Sequence, residues 1–345
     1  MKTVKLSAAK GFILLDLPDA DRSVGVVRSA PSILQSGATN LARSVTYSLA
    51  SFGIQAGGAS AGVNAKPDER AAAVASFVQD ALPLAEQNGL LLDAGRGVQD
   101  DELAPLRAYD PRPGWLRAEE GGITGSDYLV VAGVNAAASA VGTPLEGATI
   151  AIEGLSYISL ALADHVVATG GKVVGIGTAA GSALNPDGFD IAAVFEAWTS
   201  GGDGCVKAIG GDIKAAWAIF GTKCDALLVG SKVGALTHEG AAAVKAASLL
   251  PTGLVPLTTK AVVALERAGR KVVPDFLTLA GPYLAAFGDV GDGPDVAAQG
   301  VSAQIAAAVR ESAGSPDGLF LGACARAEAF LATWQPALPF GRPLA

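Results

Sequence analysis

The segment Gly58-Ala-Ser-Ala-Gly62 has the spacing G-x-S-x-G, which in serine hydrolases presents a nucleophilic serine. That chemistry needs a strand before the serine, a helix directly after it, and an acid and then a histidine later in the chain. Glycines precede Ser60, the residues Ala65-Lys-Pro67 follow it, and the chain holds only two histidines. We therefore interpret residues 55–63 as a glycine-rich loop and assign no hydrolase chemistry to Ser60.

A second segment, residues 147–177, has the pattern of a dinucleotide-binding unit. It predicts a buried strand over 148–153, a helix over 155–169 that stops at two glycines, and a buried strand over 172–176. Two such strands joined by a helix run parallel, so the segment predicts a βαβ unit. A dinucleotide motif would place G-x-G-x-x-G/A at the first turn and an acid after the second strand.

In this chain the three positions of the glycine motif and the position of the acid are occupied by Gly154, Ser156, Ser159 and Thr178. These four residues are the predicted contacts to a cofactor, NAD or NADP. The middle position is a serine whose side chain lies where a pyrophosphate would approach the backbone. Thr178 lacks the carboxylate that binds a ribose hydroxyl, and no nearby arginine favours a 2′-phosphate.

Other reactive side chains are few. His165 and His238 lack the spacing of a metal site, and three scattered cysteines indicate neither a disulfide framework nor a metal centre. We predict no metal. Of two isolated lysines, Lys66 precedes a proline and reads as a surface residue. Lys232 follows the predicted strand 226–229, and ligands bind at this end of parallel strands, so Lys232 is the better candidate.

Composition limits the partners. The chain has 345 residues, half of them apolar, and a net charge of −8. An acidic protein is not expected to bind nucleic acid or an anionic membrane surface. The apolar windows 44–65 and 128–145 are rich in Gly, Ser, Asn and Ala, so we expect buried segments rather than membrane spans. The sparse cysteines and the lack of a signal peptide pattern favour the cytoplasm.

The remaining pattern predicts the elements that must position these residues. Strands are expected over 11–16, 23–28 and 90–92, the last delivering Asp93 to a loop. Helices are expected over 38–52, 67–87, 129–141, 295–313 and 319–334.

Several segments of the sequence resemble those of a known protein family. The run Leu41–Tyr47, then Gly57–Val63 and Pro67, resembles the N-terminal signature of the glutamate/leucine/phenylalanine/valine dehydrogenases. Later segments resemble the cofactor domain of the same family, in the same order along roughly residues 24–288; they are 148–154, 172–188, 224–228, 258–259, 272–276 and 280–281.

The resemblance implies a reversible oxidative deamination in which hydride passes to a nicotinamide cofactor. The family uses two lysines that hold the substrate carboxylate and activate water, and an aspartate that handles protons. At the corresponding positions this sequence has Ser48, Ser60 and Asp93. A hydroxyl cannot replace an ammonium group electrostatically, so ordinary amino-acid deamination is not expected.

The expected fold is α/β in two domains, one of them a doubly wound sheet. The predicted boundaries are 1–127 for a substrate and self-association domain, 128–294 for a Rossmann-like domain, and 295–345 for C-terminal helices that fold back.

Two functions remain open. One is a nicotinamide-dependent oxidoreductase acting on a less anionic amine, alcohol or carbonyl. In it Asp93 would act as acid or base, with Ser48 and Ser60 as hydrogen-bonding groups. The other is a binding or structural protein, or one with non-redox chemistry. By resemblance the chain is expected to form a homo-oligomer.

Overall fold

The computed structural model describes residues 1–345, which form two compact units. The first comprises residues 1–113 and 326–343, and the second comprises residues 114–325 and 344–345. The division thus falls 14 residues before the expected boundary at 127/128. The reason is that residues 114–124 fold together with the long helix that begins at Gly125.

A five-stranded mixed sheet forms the centre of the first unit. Its strands, in chain order, are β1 (Lys2–Lys5), β2 (Gly11–Leu15), β3 (Ser23–Ala30), β4 (Gly57–Asn64) and β5 (Leu90–Ala94). Their spatial order is β1-β2-β4-β3-β5, with β3 parallel to both of its neighbours. Helix α1 (Gln35–Ser51) lies on one face and helix α2 (Arg70–Asn88) on the other.

The glycine-rich segment is strand β4, and the prediction of a loop there was wrong. Its glycines are used for close packing rather than for turning, because none of them has a positive φ. A Cβ on Gly58 would lie 1.8 Å from the carbonyl oxygen of Ala42 in α1. The absence of a side chain is what lets α1 lie directly on β4. Since Ser60 is in the middle of a strand, the nucleophile-elbow geometry is excluded as well.

The second unit contains a seven-stranded sheet and a two-stranded hairpin. The hairpin is β6 (Glu119–Glu120) and β7 (Ile123–Thr124); the sheet strands are β8 (Thr149–Glu153), β9 (Lys172–Thr178), β10 (Gly181–Leu184), β11 (Asp212–Lys214), β12 (Ala226–Val229), β13 (Ser248–Pro251) and β14 (Lys271–Val272). The spatial order is β11-β10-β9-β8-β12-β13-β14. The five neighbouring strands β9, β8, β12, β13 and β14 are parallel to one another. Strand β10 is antiparallel to β9, and β11 is antiparallel to β10.

Helices flank this sheet. They are α3 (Gly125–Ala140), α4 (Tyr157–Ala168), α5 (Ile191–Gly201), α6 (His238–Ala243), α7 (Thr259–Arg267), α8 (Asp275–Thr278), α9 (Gly281–Phe287) and α10 (Pro294–Ala313). A last helix, α11 (Leu319–Leu331), begins in the second unit, and its residues 326–331 belong to the first. The predicted βαβ unit is present as β8–α4–β9, and the predicted α/β class is confirmed for both units. None of the helices combines the length and apolar character that a bilayer span requires.

Candidate functional site

Ser60 and Asp93 lie on one face of the first sheet. Both are paired with Val26 of the central strand β3, Ser60 from β4 and Asp93 from β5. Residues directly opposite each other on adjacent strands point to the same face. This is the face that α1 covers, since Gly58, two residues before Ser60, meets α1. The core packed under α2 uses the alternate residues of these strands.

Ser60 is buried and accepts a hydrogen bond from Nη2 of Arg28 at 2.8 Å. Arg28 follows Val26 by two residues on β3 and therefore shares its face. A positive charge thus stands beside Ser60, which the sequence-based expectation did not include. The strand pattern put Arg28 at the end of a predicted strand, but only the pairing of β3 with β4 reveals its neighbour.

Asp93 is held by Arg112. The Asp93 carboxylate accepts two hydrogen bonds, from Nη1 at 2.7 Å and from Nη2 at 2.8 Å. Arg112 also donates to the buried carboxylate of Asp110, and its own side chain is 5% exposed. Burial alone would lower the pKa of Arg112, but hydrogen bonds and charges from Asp110 and Asp93 outweigh it and raise that pKa. Nothing in the sequence pattern singled out Arg112.

Ser48 is on α1, the helix that covers this face, and is 1% exposed. Its hydroxyl is buried and makes no hydrogen bond. The structure therefore joins Ser60 to Arg28 and Asp93 to Arg112, but no hydrogen bond links Ser48, Ser60 and Asp93 to one another.

In the second unit, the predicted cofactor turn follows β8. Gly154 has φ of 91°, and a Cβ there would lie 2.6 Å from the backbone of Ser231. Only glycine fits both constraints. Ser156 caps α4: its hydroxyl accepts from the amide of Ser159, and the Ser159 hydroxyl accepts from the amide of Ser156. The two serines thus form a capping box.

The capping box leaves two amides free at the start of α4, those of Tyr157 and Ile158. They lie at the carboxyl end of β8, where the strand order reverses between β9 and β12. Such a reversal is where ligands bind in open α/β sheets, and helix N-terminal amides favour anions. The turn therefore fits a pyrophosphate at these two amides.

Thr178, at the end of β9, does not fit the expected ribose contact. Its hydroxyl donates to the carbonyl oxygen of Asp203 at 2.7 Å and accepts from the amide of Ala180. The side chain is buried and both of its hydrogen-bonding roles serve the loop itself. Its position thus supplies neither an acid for a ribose hydroxyl nor a base for a 2′-phosphate.

A separate cavity of about 490 Å³ lies in the second unit beside the β6–β7 hairpin and the start of α3. Its lining includes Glu119, Glu120, Asp295 and two aromatic side chains, Trp115 and Tyr128, but no lysine or arginine. Burial and the nearby Asp295 raise the pKa of Tyr128, whose hydroxyl donates to that carboxylate. Such an acidic cavity disfavours phosphate groups, so the turn before α4 remains the better phosphate site.

The remaining candidate residues are the two histidines and the two lysines. His165 lies 3.5 Å from Glu146, His238 lies 3.2 Å from the adjacent Glu239, and no group of His, Cys, Asp or Glu is arranged to hold a metal. Lys66 and Lys232 are exposed. The ligand role of Lys232 stays a prediction.

Comparisons with known proteins show which proteins this chain is similar to. Residues 119–286 match the family model described as Glutamate/Leucine/Phenylalanine/Valine dehydrogenase. Over 188 residues the chain is 29% identical to the catabolic NAD-specific glutamate dehydrogenase RocG of Bacillus subtilis and 28% identical to an NAD-specific glutamate dehydrogenase of Staphylococcus aureus. These matches cover 52% of this chain but only 44% and 45% of those proteins. The chain thus matches less than half the length of these curated relatives.

Solved structures share the fold over nearly the whole chain. The hetero-hexameric glutamate dehydrogenase of Thermus thermophilus, in its Leu-bound form, superposes with a TM-score of 0.78 at 22% identity, covering 95% of this chain and 86% of that one. L-tryptophan dehydrogenase from Nostoc punctiforme gives a TM-score of 0.61 at 16% identity, covering 94% of this chain and 92% of that one. Residues 119–286 are thus similar in sequence to the glutamate/leucine/phenylalanine/valine dehydrogenase family, and nearly the whole chain shares the fold of the solved dehydrogenases.

Proposed function

We propose that the chain is a diverged NAD(P)-dependent oxidoreductase that acts on an amine, alcohol or carbonyl other than the ordinary amino acids. One observation carries this proposal. The turn from β8 into α4 stands at the reversal of strand order and offers the free amides of Tyr157 and Ile158. It lies within the segment that matches the family model, and its curated relatives are named as NAD-specific.

In this proposal the amides of Tyr157 and Ile158 would hold the pyrophosphate of the cofactor. When bound, the nicotinamide would accept hydride from, or donate it to, the reacting carbon of the substrate. The protein would supply hydrogen bonds from the Arg28 and Ser60 pair and an acceptor at Asp93. Asp93 is 38% exposed and therefore open to solvent, but both its oxygens are engaged by Arg112. Proton transfer through Asp93 would have to break one of these bonds.

A second candidate, a family member without dehydrogenase activity, is favoured by that same engagement of Asp93. A carboxylate held by two charge-assisted hydrogen bonds is a strongly fixed group and a poor mobile base. The predicted cofactor contacts also favour this candidate, because Ser156 and Ser159 cap each other and the Thr178 hydroxyl already bonds to a backbone carbonyl oxygen. Such a protein would bind a small molecule, serve a structural role or carry out non-redox chemistry.

Titration with NADH and NADPH distinguishes the two candidates. The purified protein is titrated with each nucleotide while nicotinamide fluorescence is followed. The oxidoreductase proposal expects saturable binding of at least one nucleotide below millimolar concentration. Absence of binding up to millimolar concentration removes that proposal and leaves the non-redox candidate. If binding is found, a screen of amines, alcohols and carbonyls follows, and rapid turnover of glutamate or leucine would contradict the altered substrate class.

The role of Asp93 can then be tested with Asp93→Asn. We expect turnover of the substrate found by that screen to fall by about 10²- to 10⁴-fold, as for removal of a general acid or base. Asp100→Asn is the matched control, because Asp100 also pairs with an arginine, Arg107, but is half exposed. An unchanged rate in Asp93→Asn would refute its assignment.

A further inference from the structure

The cavity of about 490 Å³ in the second unit carries only negative charge in its lining. Three carboxylates line it from two elements, Glu119 and Glu120 from β6 and Asp295 from the first turn of α10. The two glutamate side chains take part in no ion pair or hydrogen bond, and Asp295 accepts one only from the hydroxyl of Tyr128, at 3.2 Å. Because no lysine or arginine lines the cavity, this charge is uncompensated.

Another carboxylate of the same region, Asp127, is used by the fold itself. It accepts hydrogen bonds from the amide and the hydroxyl of Thr124, and the two residues form the capping box at the start of α3. Glu119 and Glu120 have no such structural role. Their carboxylates are therefore available to a ligand in the cavity.

Two aromatic side chains supply much of the apolar part of the lining. Tyr128 on α3 is 41% exposed, and Trp115 lies against the first residue of the same helix. A Cβ on Gly125 would lie 2.8 Å from Cε3 of Trp115, so the glycine is what lets the indole lie there. The π face of an aromatic ring attracts a cation, and the ring also packs against hydrocarbon. The lining thus suits a ligand that combines a positive charge with an apolar body.

The spacing of the carboxylates distinguishes a metal ion from a larger cation. A hard metal ion needs several oxygen ligands that converge on one point at about 2.0–2.6 Å. No group of three His, Cys, Asp or Glu side chains is arranged to hold a metal ion. The volume of about 490 Å³ is instead that of a small-molecule site, which typically measures about 300–1,000 Å³.

We propose that this cavity binds an organic cation, namely a primary ammonium group on an apolar body. An ammonium group has three donors and no acceptor, which matches carboxylates that only accept hydrogen bonds. The apolar body would pack against Trp115 and Tyr128. The inference goes beyond the proposed function, because it uses neither the α4 turn nor Ser60 and Asp93.

The inference can be tested by binding in the absence of nucleotide. Benzylamine is titrated against the purified protein by calorimetry at neutral pH, beside benzyl alcohol, which has nearly the same shape but no charge. We expect the amine to bind about ten- to hundredfold more tightly, as for a hydrogen bond to a charged group together with a cation–π contact. Mg²⁺, a cation without an apolar body, should bind more weakly than benzylamine by about tenfold or more.

Removal of single carboxylates tests where the amine binds. Asp295→Asn should lower the preference for the amine several-fold, and the double variant Glu119→Gln with Glu120→Gln should lower it as well. Asp187→Asn is the matched control, because Asp187 is also exposed in the second unit but does not line the cavity. It should bind both compounds like the wild type. All four positions are exposed, so these variants are expected to fold.

Substitutions of Tyr128 separate its ring from its hydroxyl. Tyr128→Phe keeps the ring and releases Asp295 from its hydrogen bond, so it should bind benzylamine at least as tightly as the wild type. Tyr128→Leu removes the π face and should weaken binding of the amine more than binding of the alcohol.

Three results would overturn the inference. They are equal binding of amine and alcohol by the wild type, Mg²⁺ binding as tight as that of benzylamine, and a preference for the amine that Asp295→Asn and the double variant leave unchanged. The NADH titration is separate, because benzylamine is tested without nucleotide. Absence of NADH binding rejects the redox proposal, whereas loss of the amine preference in the carboxylate variants supports this inference in either case.

Discussion

Charged side chains in the first unit differ sharply in how they are compensated. Asp16 is fully buried, and it accepts hydrogen bonds from Nε and Nη2 of Arg43 at 2.7 Å and from the hydroxyl of Thr46. Arg43 also donates to the carbonyl oxygens of Phe340 and Gly341. A buried pair with its remaining donors satisfied holds its geometry, whereas removing one partner leaves a charge in a medium of low dielectric constant.

We therefore expect Asp16→Asn to lower the free energy of unfolding by about 3–5 kcal/mol. Urea-induced unfolding followed by circular dichroism measures this loss. The exposed pair between Asp100 and Arg107 is the control, and Asp100→Asn should cost no more than about 1 kcal/mol. Equal losses in the two variants would contradict the role assigned to burial.

A buried thiol gives a prediction for alkaline pH. Burial raises the pKa of Cys224 to about 12, from an ordinary value of 9.0. Because the folded pKa is the higher one, the thiol's contribution to stability is fully present below pH 9 and is lost as pH rises towards 12.

Between these two values the loss from one group is about 1.4 kcal/mol per pH unit. We expect the free energy of unfolding of Cys224→Ala to fall less steeply than that of the wild type between pH 9 and 11. Parallel urea titrations across this range measure both slopes. Identical slopes would show that Cys224 is not protected in the folded protein.

At the scale of elements, the contact between α1 and β4 depends on a single missing side chain. A Cβ on Gly58 would meet the Ala42 carbonyl oxygen at 1.8 Å and the Thr46 amide nitrogen at 2.8 Å. The Gly58 amide also donates to the hydroxyl of Thr46. Backbone atoms of a helix cannot yield locally, so an added methyl must push the whole helix away from the strand.

Gly58→Ala is accordingly expected to lower the free energy of unfolding by about 3 kcal/mol or more. Gly37, within α1, has no atom near the position of a Cβ, so Gly37→Ala should instead raise stability by about 0.5–1 kcal/mol. Thermal unfolding of the two variants beside the wild type compares them. A stable Gly58→Ala protein would mean that α1 can shift without cost.

At the scale of the whole chain, the family match and the fold match have different extents. The family model covers residues 119–286, whereas the fold is shared with solved dehydrogenases over 93–95% of the chain. The first unit thus shares the fold of these proteins although the family model does not extend over its sequence.

We expect the protein to self-associate, as the resemblance implies. Analytical ultracentrifugation at micromolar concentration should give a mass that is a multiple of the chain mass. The Thermus thermophilus relative is described as hetero-hexameric. A single species with the mass of one chain would contradict the prediction.

The sequence alone determined the α/β class, the βαβ unit at residues 147–177 and the two-part organisation. These follow from apolar periodicity and from turn residues, which are local features that a sequence displays directly. It did not determine that the glycine-rich segment is a strand, because glycine marks a turn and a close contact between elements equally well.

Only the tertiary structure decided what stands next to the candidate site residues. The pairing of β3 with β4 brings Arg28 to Ser60 across 32 positions of sequence, and the chain after β5 returns Arg112 to Asp93. Strand order and loop paths set these neighbours, and neither has a local sequence signature. The sequence thus identified Ser60 and Asp93 as candidates, and the fold placed the guanidinium groups of Arg28 and Arg112 beside them.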